Sequence, residues 1–275
     1  MRSKTASGFT AMSFEIINWP DFIAGSIGSP SAMTIGVFDG LHLGHKELID
    51  RMVKRGPDPT VISFKENPKK LISPDLYDGD LFSLRQKLDA FKKLKVQRAV
   101  LIDFSLEFSK LKAVDFLHLL KISCGMEFLV VGSNFRCGYR QQADAAGIKR
   151  MNEQDGVPTE IIEQISLPRE LGGGPVSSSR LRSAVIQGDL PLAAALTGRN
   201  FELDLEGVRP LKMQSTCMVY NLNAIHRIAP IKGRYKVVIH PGAFPGEVKA
   251  GDGNIYLYPE TELKDCKPDR LEFFA

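Results

Sequence analysis

Residues 33–50 constrain the fold of this chain more than any other stretch of the sequence. Apolar residues 34–38 predict a short β-strand, which the dipeptide Asp39-Gly40 ends. His42 and His45 follow in the turn, directly before an amphipathic helical pattern. The backbone N–H groups and the dipole at the start of a helix favour a bound anion. The stretch therefore predicts a strand–turn–helix unit in which two imidazoles face an anion.

Two other interpretations of this turn compete with phosphate binding. The histidines are incidental in an ordinary connection between a strand and a helix, or they are metal ligands. No third Cys, His or carboxylate stands nearby at the spacing of a metal site, which disfavours ligation. The spacing His-Leu-Gly-His favours a phosphate ligand, and Gly36 and Gly44 allow close backbone approach. We expect the helix to begin near Lys46.

Composition excludes several classes of protein. The chain has 275 residues, 43% of them hydrophobic and 25% charged, as in a globular protein with a full core. The net charge of +4 is small, and without a basic stripe interleaved with aromatic residues we expect no nucleic-acid binding. No apolar run reaches the roughly 18 residues of a membrane span. Four widely spaced cysteines are expected to be free thiols in a cytoplasmic protein: Cys124, Cys137, Cys217 and Cys266.

Strand and helix patterns alternate through the first two thirds of the chain. Predicted strands cover residues 34–38, 60–64, 98–102, 128–131 and 159–165, and predicted helices cover residues 84–94, 113–122 and 144–155. This alternation predicts a doubly wound, mainly parallel α/β sheet. Ligands bind such sheets at the carboxyl ends of the strands. The site is therefore expected in loops 38–45, 64–70 and 132–143 and in the segment leading into 176–182.

A serine- and arginine-rich helix start follows a flexible stop at residues 172–175. The hydroxyl groups of residues 177–179 fit the N-cap and first turn, where side-chain oxygens and free N–H groups are in reach of a ligand. Arg180 and Arg182 add planar donors suited to phosphate oxygens. A well-capped surface helix with solvated arginines is the alternative interpretation.

The pattern changes near Arg199-Asn200, after a second helical stretch at residues 191–196. Beyond it, short β-leaning runs alternate with Gly and Pro turns, which predicts a small antiparallel module, a compact barrel or a curved sheet. Residues 1–13 have a basic start without an apolar core, so we expect a disordered leader and not a signal peptide. The predicted division is this leader, an α/β domain at 14–199 and a small β domain at 200–275.

Several of these segments, in this order, resemble one enzyme family over residues 14–200. Residues 36–45 (Gly-Val-Phe-Asp-Gly-Leu-His-Leu-Gly-His) resemble the first nucleotide-binding motif of the FMN adenylyltransferase (FAD synthetase) half of bacterial bifunctional riboflavin kinase/FAD synthetases. Residues 177–182 are similar to the family's Ser-Ser-Thr-x-x-Arg motif. Residues 130–138 resemble its Val-Val-Gly-x-(Asp/Asn)-Phe-x-Phe-Gly loop, and residues 188–199 continue the match.

The resemblance implies a Rossmann-like nucleotidylyltransferase domain, at 14–199, that transfers AMP from ATP to FMN and releases pyrophosphate. It implies catalytic roles for His42, His45 and Arg182. The implied ATP-binding residues are Gly36, Phe38, Asp39, Gly44, Ser177, Ser178, Ser179 and Arg180. The implied flavin-binding residues are Phe64, Asn67, Pro68, Asn134, Phe135 and Arg136. Mg²⁺ is the expected cofactor, held mainly by phosphates and water. Self-association is not predicted.

The chain departs from the family pattern at three places. The usual Phe-x-Pro-His-Pro has Asn67 in place of its histidine, and the second Phe of the later loop is Cys137. These changes keep two alternatives open: a nucleotidylyltransferase with a different acceptor, and a non-catalytic protein that binds flavin or nucleotide. Residues 201–275 form a reduced riboflavin-kinase-like module without the Pro-Thr-x-Asn motif, so we expect kinase activity to be absent.

Overall fold

Two β-sheets of different strand direction organise the chain. A computed structural model describes residues 14–25, 29–214, 216–263 and 267–274, so the predicted leader and Cys266 lie outside the described residues. The elements are, in chain order, β1 (Glu15–Asn18), α1 (Trp19–Ala24), β2 (Ser31–Ile35), α2 (Leu43–Arg55), β3 (Thr60–Phe64), α3 (Lys69–Ile72), α4 (Leu84–Lys93), β4 (Arg98–Ile102), α5 (Ala113–Ile122), β5 (Met126–Gly132), β6 (Arg136–Cys137), β7 (Ala143–Asp144), α6 (Ala145–Gln154), β8 (Thr159–Ile162), α7 (Ser178–Gln187), α8 (Leu190–Thr197), β9 (Phe201–Asp204), β10 (Lys212–Gln214), β11 (Cys217–Asn221), α9 (Leu222–Ile225), β12 (Gly233–His240), β13 (Phe244–Gly251), β14 (Asn254–Pro259) and β15 (Arg270–Phe273).

The first sheet is parallel and doubly wound, which confirms the predicted fold class. Its strand order is β1-β4-β3-β2-β5-β8, and each neighbouring pair is parallel. The central strands β2 and β4 are buried along their whole length, as expected for strands covered by helices on both faces. The chain leaves β2 toward β3 and later returns beside β2 with β5, so the loops after β2 and β5 diverge at a switch point.

The second sheet has seven antiparallel strands, as the composition of the C-terminal part predicts. Their order is β10-β11-β14-β13-β12-β15-β9. Its buried face shares one hydrophobic cluster with α7 and α8, in which Leu181 and Leu196 lie with Leu203 and Ile239. The second sheet therefore supports the helix that carries the serine–arginine motif. The domain boundary near residue 200 stays a prediction.

Helix α2 begins at Leu43 and not near Lys46 as predicted. The reason is its unusual N-cap, because Nδ1 of His42 accepts the backbone N–H of His45 at 3.3 Å. An imidazole nitrogen thus does what a Ser or Asp oxygen usually does at this position. The helix therefore starts earlier than predicted, and His45 belongs to its first turn.

An ion pair between a buried aspartate and a partly exposed arginine joins α4 of the first half to β9 of the second sheet. Asp204 is 1% exposed, and its Oδ1 lies 2.7 Å from Nη2 of Arg85. Its Oδ2 accepts the hydroxyl of Ser83, the residue that caps α4. Burial opposes ionisation of Asp204, but the hydrogen bonds from Arg85 and Ser83 outweigh it and lower the pKa. The start of α4 is therefore fixed on the second sheet.

We predict that Asp204→Ala lowers the free energy of unfolding by about 3 kcal/mol, because Arg85 and Ser83 lose a buried partner. Urea denaturation measures the loss. Glu206→Ala is the matched control, since Glu206 also pairs with Arg85, at 3.0 Å, but its side chain is 60% exposed. The control should cost less than about 1 kcal/mol. Equal losses for both variants would contradict a special role for the buried pair.

Candidate active site

The carboxylate of Asp39 joins three segments that are distant in sequence. The residue is 5% exposed and lies in the turn after β2. Its Oδ1 accepts the backbone N–H groups of Leu81 at 2.9 Å and Phe82 at 3.0 Å. Its Oδ2 accepts Nη2 of Arg182 on α7 at 2.8 Å. The turn, the loop before α4 and the start of α7 therefore meet at one carboxylate.

Further bonds tie α7 to the same turn. The hydroxyl of Ser178 donates to the Asp39 carbonyl at 3.0 Å, and Nη2 of Arg182 donates to the Gly79 carbonyl at 3.1 Å. Ser177 is the N-cap of α7, while Ser179 is exposed. The two motifs that sequence reasoning assigned to one nucleotide site are thus brought together.

Burial makes ionisation of Asp39 unfavourable. It raises the pKa of this carboxyl to about 6, and the nearby Asp80 adds to the effect, whereas Arg182 and the Phe82 N–H act in the opposite direction. The folded protein therefore holds this proton more tightly than an unfolded chain does. The stabilising contribution of this proton is complete below pH 3.8 and is lost as the pH rises through about 6.

The two histidines form a stacked pair at the start of α2. Their ring centroids are 3.7 Å apart and their planes differ by 15°. A Cβ at Gly44 would come within 3.3 Å of the His42 ring, so glycine leaves room for this arrangement. Burial lowers the pKa of His42 to about 4 and lowers that of His45 well below its usual range. Both rings are therefore neutral near pH 7, and since Nδ1 of His42 accepts a bond, its proton lies on Nε2.

Phe38 differs from the expectation that it lines the nucleotide cleft. It is fully buried, and its ring packs edge-on against His45 at 5.1 Å and Phe91 at 5.5 Å. A Cβ at Gly36 would lie 3.1 Å from this ring. Phe38 therefore packs against His45 from the protein core, and the absence of a side chain at Gly36 leaves room for the Phe38 ring.

Arg180 also differs from its predicted role. Its guanidinium donates to three carbonyls of the preceding glycine-rich loop, those of Gly172, Gly173 and Pro175. The side chain thus folds back on its own loop and holds it against α7, and these carbonyls use its donors in place of a phosphate.

Two buried nitrogens of the site have no hydrogen-bond partner among the described residues. They are Nδ1 of His45 and Nε of Arg182. Native proteins pair nearly all buried polar atoms, so unpaired ones need an explanation. Both atoms belong to residues that the sequence predicts to contact phosphate. In the described part of the chain no group of His, Cys, Asp and Glu could hold a metal ion by itself.

Aromatic residues cluster beside the turn at the carboxyl ends of β3 and β4. Phe64, at the end of β3, packs edge-on against Phe104 at 5.7 Å and Phe108 at 6.5 Å. All three are half-buried. Phe104 and Phe108 were missed by the sequence analysis, which left out the loop after the strand at residues 98–102. The sequence does contain a signal for these two residues, because aromatic residues that follow a buried strand lie at the ligand-binding edge of such a sheet.

The remaining predicted flavin residues fall into two groups. Asn67 is 8% exposed and its Oδ1 accepts the N–H of the residue two positions on, at 3.1 Å, so it caps a turn and does not face a flavin. Pro68 stands at the start of α3. Asn134 and Arg136 are exposed, while Phe135 packs on the hydrophobic core under β5.

Comparison with known proteins decides the family. The FAD synthetase family model matches residues 26–180, more than half of the chain. The chain belongs to the FAD synthetase family. It is similar to the bifunctional riboflavin kinase/FMN adenylyltransferases of Pseudomonas fluorescens, with 29% identity over 86% of this chain and 79% of the relative, and of Haemophilus influenzae, with 26% identity over 83% and 74%. The protein is thus a nucleotidyltransferase.

The fold of this chain recurs in a solved structure. A protein described as a macrolide-efflux protein, from Streptococcus pneumoniae, superposes with a TM-score of 0.77 over 95% of this chain and 89% of that one, at 20% identity. At that identity the likeness concerns the fold alone. Among the described residues of this chain, no helix is both long and apolar enough to cross a membrane.

We predict that kcat/KM of this nucleotidyltransferase falls as the pH is lowered through about 6, because protonation of Asp39 removes its ion pair with Arg182. Initial rates of pyrophosphate release from about pH 5 to about pH 8 measure the profile. Asp39→Asn has no carboxyl to titrate, so its profile should lack this fall and its rate at neutral pH should be lower. The substrate phosphates titrate equally in both experiments. Identical acid limbs for the two proteins would contradict the assignment.

Proposed function

We propose that this FAD synthetase family member is an FMN adenylyltransferase that makes FAD from FMN and ATP. The observation that supports it is the pair of stacked, neutral histidines at the start of α2. They follow Asp39 in the same turn, and Asp39 accepts a hydrogen bond from Arg182 of the second motif. Its family relatives are named riboflavin kinase/FMN adenylyltransferases. The proposal joins those names to the phosphate-binding chemistry of the site.

The proposed reaction is an in-line displacement at phosphorus. An oxygen of the FMN phosphate forms a bond to the α-phosphorus of ATP, and the bond from that phosphorus to the bridging oxygen breaks. Pyrophosphate leaves with the electron pair. Such a transfer needs positioning and charge stabilisation more than covalent help from the protein. The N–H groups of His42 and His45, at the positive end of α2, would stabilise charge on the α-phosphate in the transition state.

Arg182 and the serines would hold the departing pyrophosphate. Arg182 offers its unpaired Nε, and Ser178 is fixed at the Asp39 carbonyl. Mg²⁺, when bound, would neutralise phosphate charge. Both oxygens of Asp39 already accept hydrogen bonds from the protein, so ATP phosphates and water would supply most of the metal's ligands.

The acceptor side supports a second candidate, a nucleotidyltransferase that uses another phosphate ester than FMN. The half-buried rings of Phe64, Phe104 and Phe108 offer an apolar surface that suits an isoalloxazine ring. Two observations favour the second candidate instead. Asn67 is hydrogen-bonded to its own backbone, and Cys137 stands where the family pattern has an aromatic ring. Burial raises the pKa of the Cys137 thiol to about 11, so this residue is a small neutral group.

Absence of riboflavin kinase activity is part of the proposal. The C-terminal part carries no Pro-Thr-x-Asn motif. Its sheet packs against α7 and pairs with the start of α4. Support of the transferase half is therefore a sufficient reason for this module to be present.

The decisive experiment incubates purified protein with ATP, Mg²⁺ and either FMN or riboflavin and separates the products by chromatography. We predict FAD from FMN and no product from riboflavin. No FAD from FMN, with ATP still bound, would refute the FMN assignment and favour another acceptor. FMN formed from riboflavin would refute the loss of kinase activity.

We predict that His45→Ala reduces kcat by about 10²- to 10³-fold if the ring donates to the transition state, the effect of removing one such donor. Steady-state rates of FAD formation measure it. His118→Ala is the matched control, because His118 is an exposed histidine on α5. Its turnover should equal that of the unaltered protein. Unchanged turnover in His45→Ala would remove His45 from the mechanism.

A further inference from the structure

Lys87 is a buried lysine beside the proposed transfer site. It lies on α4 and is 5% exposed. Its Nζ donates to the carbonyl of Phe64 at 3.0 Å, at the carboxyl end of β3. Strand β3 pairs with β2, from which the histidine turn leaves, so Lys87 sits at the edge of the sheet where this fold binds ligands.

The charge of Lys87 has no close counterion. In the described part of the chain, no carboxylate oxygen lies within 4.0 Å of its Nζ. Arg98 shows the usual arrangement for comparison. It is 7% exposed, and its guanidinium lies 3.4 Å from Glu15 and 3.7 Å from Asp58. Because an unpaired buried charge costs several kcal/mol, one that is kept needs a reason other than stability.

Lys87 interacts electrostatically with groups of the proposed site. Its charge contributes to the low pKa of His45, and the charges of Asp39 and Asp80 partly offset the lowering of its own pKa by burial. The ammonium therefore acts electrostatically on both the histidine and the carboxylate of the site. It has three N–H donors, of which the Phe64 carbonyl uses one.

The position of Lys87 is also rigid. The start of α4 is tied to the second sheet by two hydrogen bonds. The hydroxyl of the N-cap Ser83 donates to Asp204, and Nε2 of Gln86 donates to the Glu202 carbonyl at 3.0 Å. A binding group held by packed elements keeps its geometry when the ligand arrives.

We propose that Lys87 is a phosphate-binding residue of the transfer site, whose ammonium group takes a substrate phosphate as its missing counterion. The inference deepens the proposed function and rests on it for the identity of the substrates. Two sources supply the same chemistry, the triphosphate of ATP and the monophosphate of FMN.

The test compares ligand pairs that differ in phosphate alone. Isothermal titration measures the affinity of the unaltered protein and of Lys87→Gln for ATP, adenosine, FMN and riboflavin. We expect the affinity for ATP or for FMN to fall about tenfold or more, the effect of losing one hydrogen bond to a charged group, while adenosine and riboflavin bind as before. A loss confined to ATP or to FMN identifies which phosphate Lys87 contacts.

Equal losses within each pair, or no loss at all, would overturn the proposal and leave Lys87 as a support for the Phe64 carbonyl. Lys121→Gln is the matched control, because Lys121 also donates to a backbone carbonyl, that of Asp155, away from the site. If Lys87→Gln does not fold, Lys87→Met replaces the buried charge by an apolar chain of similar length and takes the same test. These binding data do not depend on FAD production, so failure of the FMN assignment would be seen separately.

Discussion

The buried carboxylate of Asp39 is the interaction on which the rest of the site depends. Its two oxygens accept three hydrogen bonds, from two backbone N–H groups of the loop before α4 and from Arg182 of α7. No one of these contacts is strong in water, but together in a dry site they fix three loops at once. The raised pKa of Asp39 shows that burial still works against the charge. Accepting that free-energy cost is characteristic of a site kept for its chemistry.

The second sheet completes the transferase site from outside the parallel sheet. Leu181 and Val185 of α7 lie in the same hydrophobic cluster as Ile239 and Leu271 of that sheet. Asp204 meanwhile fixes the start of α4. Both helices that bring charge to the site therefore rest on the C-terminal part. Support of these two helices is thus a structural role for the second sheet.

The sequence predicted the parallel sheet well because its buried strands are continuous apolar runs. Strands β3 and β4 begin and end where expected. In strand β13, Pro245 and Gly246 argue against a strand, yet pairing with β12 and β14 on both sides holds it in the sheet. Periodicity could not show that Phe38 is buried or that Arg180 folds back, because side-chain direction is decided by tertiary packing. Lys87 was missed for the same reason, as a lysine on a helix is usually solvated.

The way in which Arg182 is held suggests how the site stays ready for a ligand. A bidentate pair with Asp39 would occupy the guanidinium and neutralise it. Instead Nη2 makes both described bonds, to Asp39 and to the Gly79 carbonyl, and Nε is left without a partner. One edge of the guanidinium fixes the side chain while other donors stay available. Neutral histidines at the helix start add donors without adding repulsion between cations. The free protein therefore holds a set of oriented donors that a phosphate group is suited to accept from.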